Sequence, residues 1–179
     1  MNFYILKDKK TAIVFIGMFL IVGVVLNYWA SASSGYIKII DGDSLEIGSR
    51  RVRLQGIDAP EYVQYCFNAS KKKYRCGLRS RDYLKNMIKQ AHYHVDCKVV
   101  GYDRYRRELS ECFANNNNLN LEMVKSGWAV AYRADKEDYQ TAEQEAKKAK
   151  KGLWKGKFMR PEYFRRLQRE ENKEKWHKS

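Results

Sequence analysis

Between residues 41 and 61 the chain sets four carboxylates, Asp41, Asp43, Asp58 and Glu61, around Arg53. Asp41-Gly42-Asp43 reads as a turn, and Asp58 and Glu61 flank Pro60 at a strand end, so a hairpin between them can bring turn and strand end together. Clustered carboxylates repel unless a cation joins them, and ligands that are all oxygen suit Ca²⁺ or Mg²⁺. Arginine suits a phosphate, because its planar fork binds two oxygens at once and never loses its charge. The combination points to metal-assisted phosphodiester hydrolysis. The same residues also read as ordinary turns, where a surface Asp is solvated, and spacing alone leaves both readings open.

The elements that must position these residues follow from the hydrophobic pattern. Three short strands are predicted at Tyr36–Ile40, Leu45–Ile47 and Arg51–Ile57, the last alternating Val52 and Leu54 against Arg51, Arg53 and Gln55. Beyond Pro60 a long basic loop leads to a helix at Leu78–Ala91, with Leu84, Met87, Ile88 and Ala91 on one face. Strands are predicted at His94–Val100 and Leu109–Phe113, then a turn at Asn115–Asn118. Asn120 is read as the N-cap of a short helix through Lys125, and Trp128–Tyr132 as an extended apolar segment. A last helix is expected over Asp138–Lys150, with Tyr139, Ala142, Ala146 and Ala149 inward and Gly152 as its stop. Short strands interrupted by helices give an α+β domain, a small barrel with helices against it.

Composition narrows the partners. The 179 residues carry 35 Lys and Arg against 21 Asp and Glu, a net charge of +14, which favours a polyanion, either nucleic acid or anionic lipid. With 44% apolar residues and only 2 Pro, the chain is neither disordered nor collagen-like. Thr11–Trp29 holds no charge, and its 19 residues span about 28 Å as a helix, close to one hydrocarbon core. It reads as a transmembrane anchor or a signal peptide, with Ala30-Ser31-Ala32 as a candidate cleavage site. Lys7, Lys9 and Lys10 before it keep the N-terminus cytoplasmic, so the rest of the chain is expected outside the cytoplasm. Four cysteines suit an oxidising space; of three possible pairings, positions favour Cys66–Cys76 across the basic loop and Cys97–Cys112 between successive strands. No CxxC or CxxH spacing supports zinc. The expected organisation is 1–32 anchor or signal, 33–157 working domain and 158–179 basic tail.

At Ile40–Ser44 (IDGDS), Val52–Glu61 (VRLQGIDAPE), Asp103–Arg107 (DRYRR) and Gly127–Tyr132 (GWAVAY), the sequence resembles the staphylococcal nuclease (thermonuclease) family over roughly residues 35–154. The resemblance implies an OB-like five-stranded barrel with three helices and a Ca²⁺-dependent nuclease acting on DNA and RNA, leaving 3′-phosphate ends. It implies that Asp43, Asp58 and the Ala59 backbone carbonyl hold Ca²⁺, with Asp41 behind them. Arg53 and Arg107 would grip the scissile phosphate and Glu61 would activate water, while Arg104, Tyr105 and Tyr132 would contact substrate. Three positions depart from the family pattern: Arg106 stands where it has Gly, Ser44 where Thr is usual, and Ala134 where some members carry a second tyrosine. Two rival readings stay open, a catalytically silent barrel that binds single strands and a basic adaptor at a membrane. No protein partner is expected.

Overall fold

Residues 36–133 and 137–177 are described by the computed structural model. The apolar run Thr11–Trp29, the Ala30–Ala32 site and Ala134 lie outside them, and no helix among the described residues is long and apolar enough to cross a membrane. Strands β1 (Ile37–Ile39), β2 (Ser44–Ile47) and β3 (Arg50–Leu54) form the expected antiparallel meander. On β3, Val52 and Leu54 are buried and Arg51 is exposed, which is the predicted alternation. The strand stops earlier than predicted, because Gly56 turns the chain at φ +81° before β4 (Ile57–Asp58) starts. The basic loop contains a small hairpin, β5 (Cys66–Phe67) with β6 (Lys73–Tyr74), and helix α1 starts at Cys76 and runs to Gln90.

Strands β7 (Asp96–Tyr102) and β8 (Glu108–Ala114) pair antiparallel, and β8 lies parallel to β3. The sheet therefore runs β1-β2-β3-β8-β7, with β9 (Asn117–Asn118) on β8, and its pairings form an open path rather than a closed ring of five. Helix α2 spans Leu119–Lys125, and β10 (Val130–Ala131) pairs with β4. Helix α3 covers Glu137–Lys148, a 3₁₀ turn covers Gly152–Lys155, and helix α4 covers Pro161–His177. Among the described residues there are four α-helices, one more than the three expected of the domain itself. The charged segment that follows Phe158 is a helix within the same compact unit as the sheet.

Two local expectations are corrected. Asn118, not Asn120, caps α2, accepting the Leu121 N–H at 3.0 Å. Asn120 is wholly buried instead, donating to the Gln55 and Ser110 carbonyls at 2.9 Å each and accepting the Cys112 N–H at 3.1 Å. Ala149 falls just past the end of α3 and is exposed, whereas Tyr139, Ala142 and Ala146 are buried as predicted. The main core packs Leu45, Val52 and Leu54 of the sheet and Ile57 of β4 against Leu84, Ile88, Leu119 and Met123 of the helices. Both favoured disulfides are present. Cys97–Cys112 joins registered partners of β7 and β8, and Cys66–Cys76 ties β5 to the start of α1 in a second cluster with Leu153.

Candidate active site

Strand register assembles the carboxylates and the first arginine. Pairing of Ser44 with Arg53 across β2 and β3 sets the Asp41–Asp43 turn beside the guanidinium. Parallel pairing of Arg53 with Leu109 brings the Asp103–Arg107 hairpin tip to the same end of the sheet, and pairing of Val130 with Asp58 brings Tyr132 there. Gly77 at the start of α1 allows close approach on the other side, since a Cβ there would collide with the Glu61 carbonyl.

Asp43 and Asp58 are buried at the floor. Asp43 accepts from Arg53 at 2.6 Å, from the Ser44 hydroxyl at 2.8 Å and from the Ala59 N–H at 2.9 Å. Arg53 also donates to Asp58 at 3.0 Å. Burial alone would raise the Asp43 carboxyl, but Arg53 and these donors hold it below its ordinary value. For Asp58 burial wins over its arginine contacts and the net shift is upward. Burial and then the Asp43 charge push Asp41 up to about 8. Asp41 accepts the Asp43 N–H at 3.1 Å.

Above this floor opens a cleft of about 800 Å³, lined by Asp41, Arg53, Glu61, Arg104, Tyr105, Arg107 and Tyr132, with Arg51, Arg133 and Arg169 among its other walls. All three candidate phosphate and water groups, Arg53, Arg107 and Glu61, thus line one cleft. Arg107 is held by Asp103 at 2.7 Å in a turn that Arg106 completes at φ +62°, the left-handed conformation that the sequence departure anticipates. Burial opposes the Asp103 charge, but the Arg107 N–H and guanidinium and the Tyr105 N–H hold its carboxyl below the usual range. Tyr105 and Tyr132 present rings to the cleft, with Arg104 and Arg133 over them at 4.9 and 5.1 Å.

Sequence reasoning missed Arg165. From α4 it donates to Asp58 Oδ1, Asp58 Oδ2 and Glu61 Oε1, each at 2.9 Å. Burial opposes its charge, but the bonds to Asp58 and Glu61 outweigh that and raise its pKa. Glu162, Arg165 and Arg169 are spaced three and four apart, one helix face, and all three line the cleft. That spacing was legible; a run of like charges on a helix more often means a solvated face.

Fold and site together define a small α+β domain with a basic cleft over a carboxylate floor. Residues 51–156, more than half of the chain, match the staphylococcal nuclease homologue model, and the chain belongs to that family. Similar proteins include the succinoglycan biosynthesis protein ExoI of Rhizobium meliloti, 37% identical over 67% of this chain and 63% of that protein. An uncharacterized endonuclease of Haemophilus influenzae is 35% identical over 66% of this chain and 64% of its own length, and a micrococcal nuclease of Shigella flexneri is 32% identical over 70% and 75%. The alignments thus span under two thirds of the first two relatives. Asp41, Asp43 and Arg165 lie outside the matched residues.

Nucleases of this family are metal-dependent. The donors here are hard carboxylate oxygens, the right type for Ca²⁺ or Mg²⁺. Their arrangement does not fit as it stands: among the described residues no three acidic, His or Cys side chains converge to hold a metal ion. Both Asp58 oxygens are already taken by guanidinium groups.

Proposed function

We propose that the chain is a phosphodiester hydrolase, an exported Ca²⁺-dependent nuclease that cleaves DNA and RNA with little sequence preference and leaves 3′-phosphate ends. The observation that carries this reading is the shared cleft of Arg53, Arg107 and Glu61. Two guanidinium forks facing one polar cleft suit the oxygens of a phosphodiester, whose negative charge grows as a fifth oxygen bonds to phosphorus. Glu61 is only half-buried and is not held by Arg53, so it is free to take a proton from, or orient, an attacking water once Arg165 moves aside. Arg104, Tyr105 and Tyr132 then hold the flanking strand by charge and stacking, which reads no base edge and so gives low sequence preference. Asp43, Asp58 and the Ala59 carbonyl, with Asp41 behind, are assigned to the cation on donor type. The sheet with the β4–β10 ribbon serves as the OB-like barrel of this reading. Export is supported by two disulfides and the apolar Thr11–Trp29 run, which would leave the domain membrane-tethered or secreted.

A second reading, a silent strand-binding module, is favoured by the arginines that occupy the carboxylates. Cleavage of labelled single-stranded DNA by the oxidised full chain separates the two. Ca²⁺-dependent loss of the strand, cut by about 10²–10³-fold in Glu61→Ala, is the expected result. Tight binding without cleavage, with or without Ca²⁺, would establish the module instead.

A further inference from the structure

We propose that α4 is a detachable cover of the cleft and that Arg165 is the chain's own cation at the carboxylate floor, so that docking of α4 and binding of a divalent cation exclude each other. The proposal rests on the nuclease reading above and adds a regulated state to it. Arg165 reaches both oxygens of the fully buried Asp58 and the Oε1 of Glu61. A divalent ion bound to Asp58 would need those same oxygens, at the 2.3–2.6 Å typical of Ca²⁺ ligation. The guanidinium and the ion therefore compete for one place, and the convergent oxygen site that the docked state lacks can form only when Arg165 leaves.

The way α4 is held suits release. Among the described residues no α4 side chain belongs to either apolar cluster. Tyr163 and Leu167 are exposed. The fixed point is the entry to the helix, where Arg160 pairs with Glu143 at 3.1 Å and bonds the Ala131 carbonyl at 3.2 Å, and Gln64 donates to the Met159 carbonyl at 2.7 Å. Beyond that hinge Arg165 ties the helix to the cleft through its ion pairs with Asp58 and Glu61, and Phe164 is half-buried. Glu162 and Arg169 line the same cleft, so the docked helix also takes room that a strand would use.

Calorimetric titration of the full chain with CaCl₂ tests this, comparing wild type with Arg165→Ala and with Arg160→Ala, which loosens the hinge by removing the partner of Glu143 and leaves Asp41, Asp43, Asp58 and Glu61 with their own contacts. Both variants should bind Ca²⁺ more tightly, by roughly 5–150-fold, the usual range of coupling between two sites. In wild type, Ca²⁺ should also speed tryptic cleavage after Arg165, Arg166 and Arg169. Equal Ca²⁺ affinity in all three proteins, or protection of α4 by Ca²⁺, would overturn the cover; if Ca²⁺-dependent DNA cleavage persists in that case, the nuclease reading stands without it. Absence of both Ca²⁺ binding and cleavage in all three would remove cover and nuclease reading together.

Discussion

Arg53 serves two masters that Arg107 does not. Its guanidinium neutralises Asp43 and Asp58, both buried, while Arg107 pairs only with the partly exposed Asp103. Removing one partner of a buried pair typically costs about 3–5 kcal/mol, whereas a pair open to solvent is worth about 0–1 kcal/mol and the half-buried Arg107–Asp103 pair lies between, nearer the lower figure. Arg53→Ala is therefore expected to lose activity and unfold at markedly lower urea, and Arg107→Ala to lose about 10²–10³ in kcat with its urea midpoint nearly unchanged. Parallel denaturation and kinetics check this; equal stability in the two variants would deny Arg53 its structural role. Arg106 offers the opposite case. A non-glycine residue in the left-handed region costs about 1–2 kcal/mol, and glycine gives back about 0.5–1 kcal/mol in chain entropy. Arg106→Gly should thus stabilise the fold slightly, by at most about 1.5 kcal/mol from those two ranges, and urea denaturation reads the sign.

At the scale of elements, pairing between distant segments aims the site. Parallel pairing of β3 with β8 sets Arg53 beside the hairpin that carries Arg107, and β4 with β10 sets Asp58 beside Tyr132. Helix α1 supplies the remaining constraint, because its first turn packs directly on the Glu61 backbone. Gly77→Ala must push the two apart, and overpacking of this kind costs typically about 1–3 kcal/mol. The expected variant is folded, less stable and poorly active although every site side chain is present; full activity would show that the Glu61 position is not critical. The Lys71–Arg75 run covers the tip and second strand of the β5–β6 hairpin and the N-cap of α1, with Lys73 over the Tyr65 ring at 4.5 Å and Arg75 over Tyr62 at 5.1 Å.

For the whole molecule, one buried phenol links the fold to alkaline pH. Burial first, then the neighbouring Glu111 charge, push Tyr139 of α3 up to about 12 from an ordinary value of 10. A folded-state pKa above the unfolded one gives stability that is complete below pH 10 and is lost as pH rises toward 12. Wild type should therefore lose stability across that window more steeply than Tyr139→Phe, as followed by urea midpoints from pH 9 to about 12; parallel curves would place the phenol in a solvated environment. The two disulfides hold the same body at two points, the β7–β8 ladder and the β5–α1 junction.

Period-two and helical patterning in the sequence determined most strands, three helices, the core faces of α1 and α3 and the favoured cysteine pairs, because each of these depends on short-range spacing or composition. The motifs also named Asp43, Arg53, Asp58, Glu61 and Arg107 as companions. Only the tertiary structure decided that Asn120 is a buried crosslink rather than a cap, since its three partners come from residues up to 65 positions away. It likewise decided where Arg165 goes. A guanidinium on a charged helix carries no local mark of its partner, and it reaches Asp58 across 107 residues only because the chain folds back over its own carboxylates.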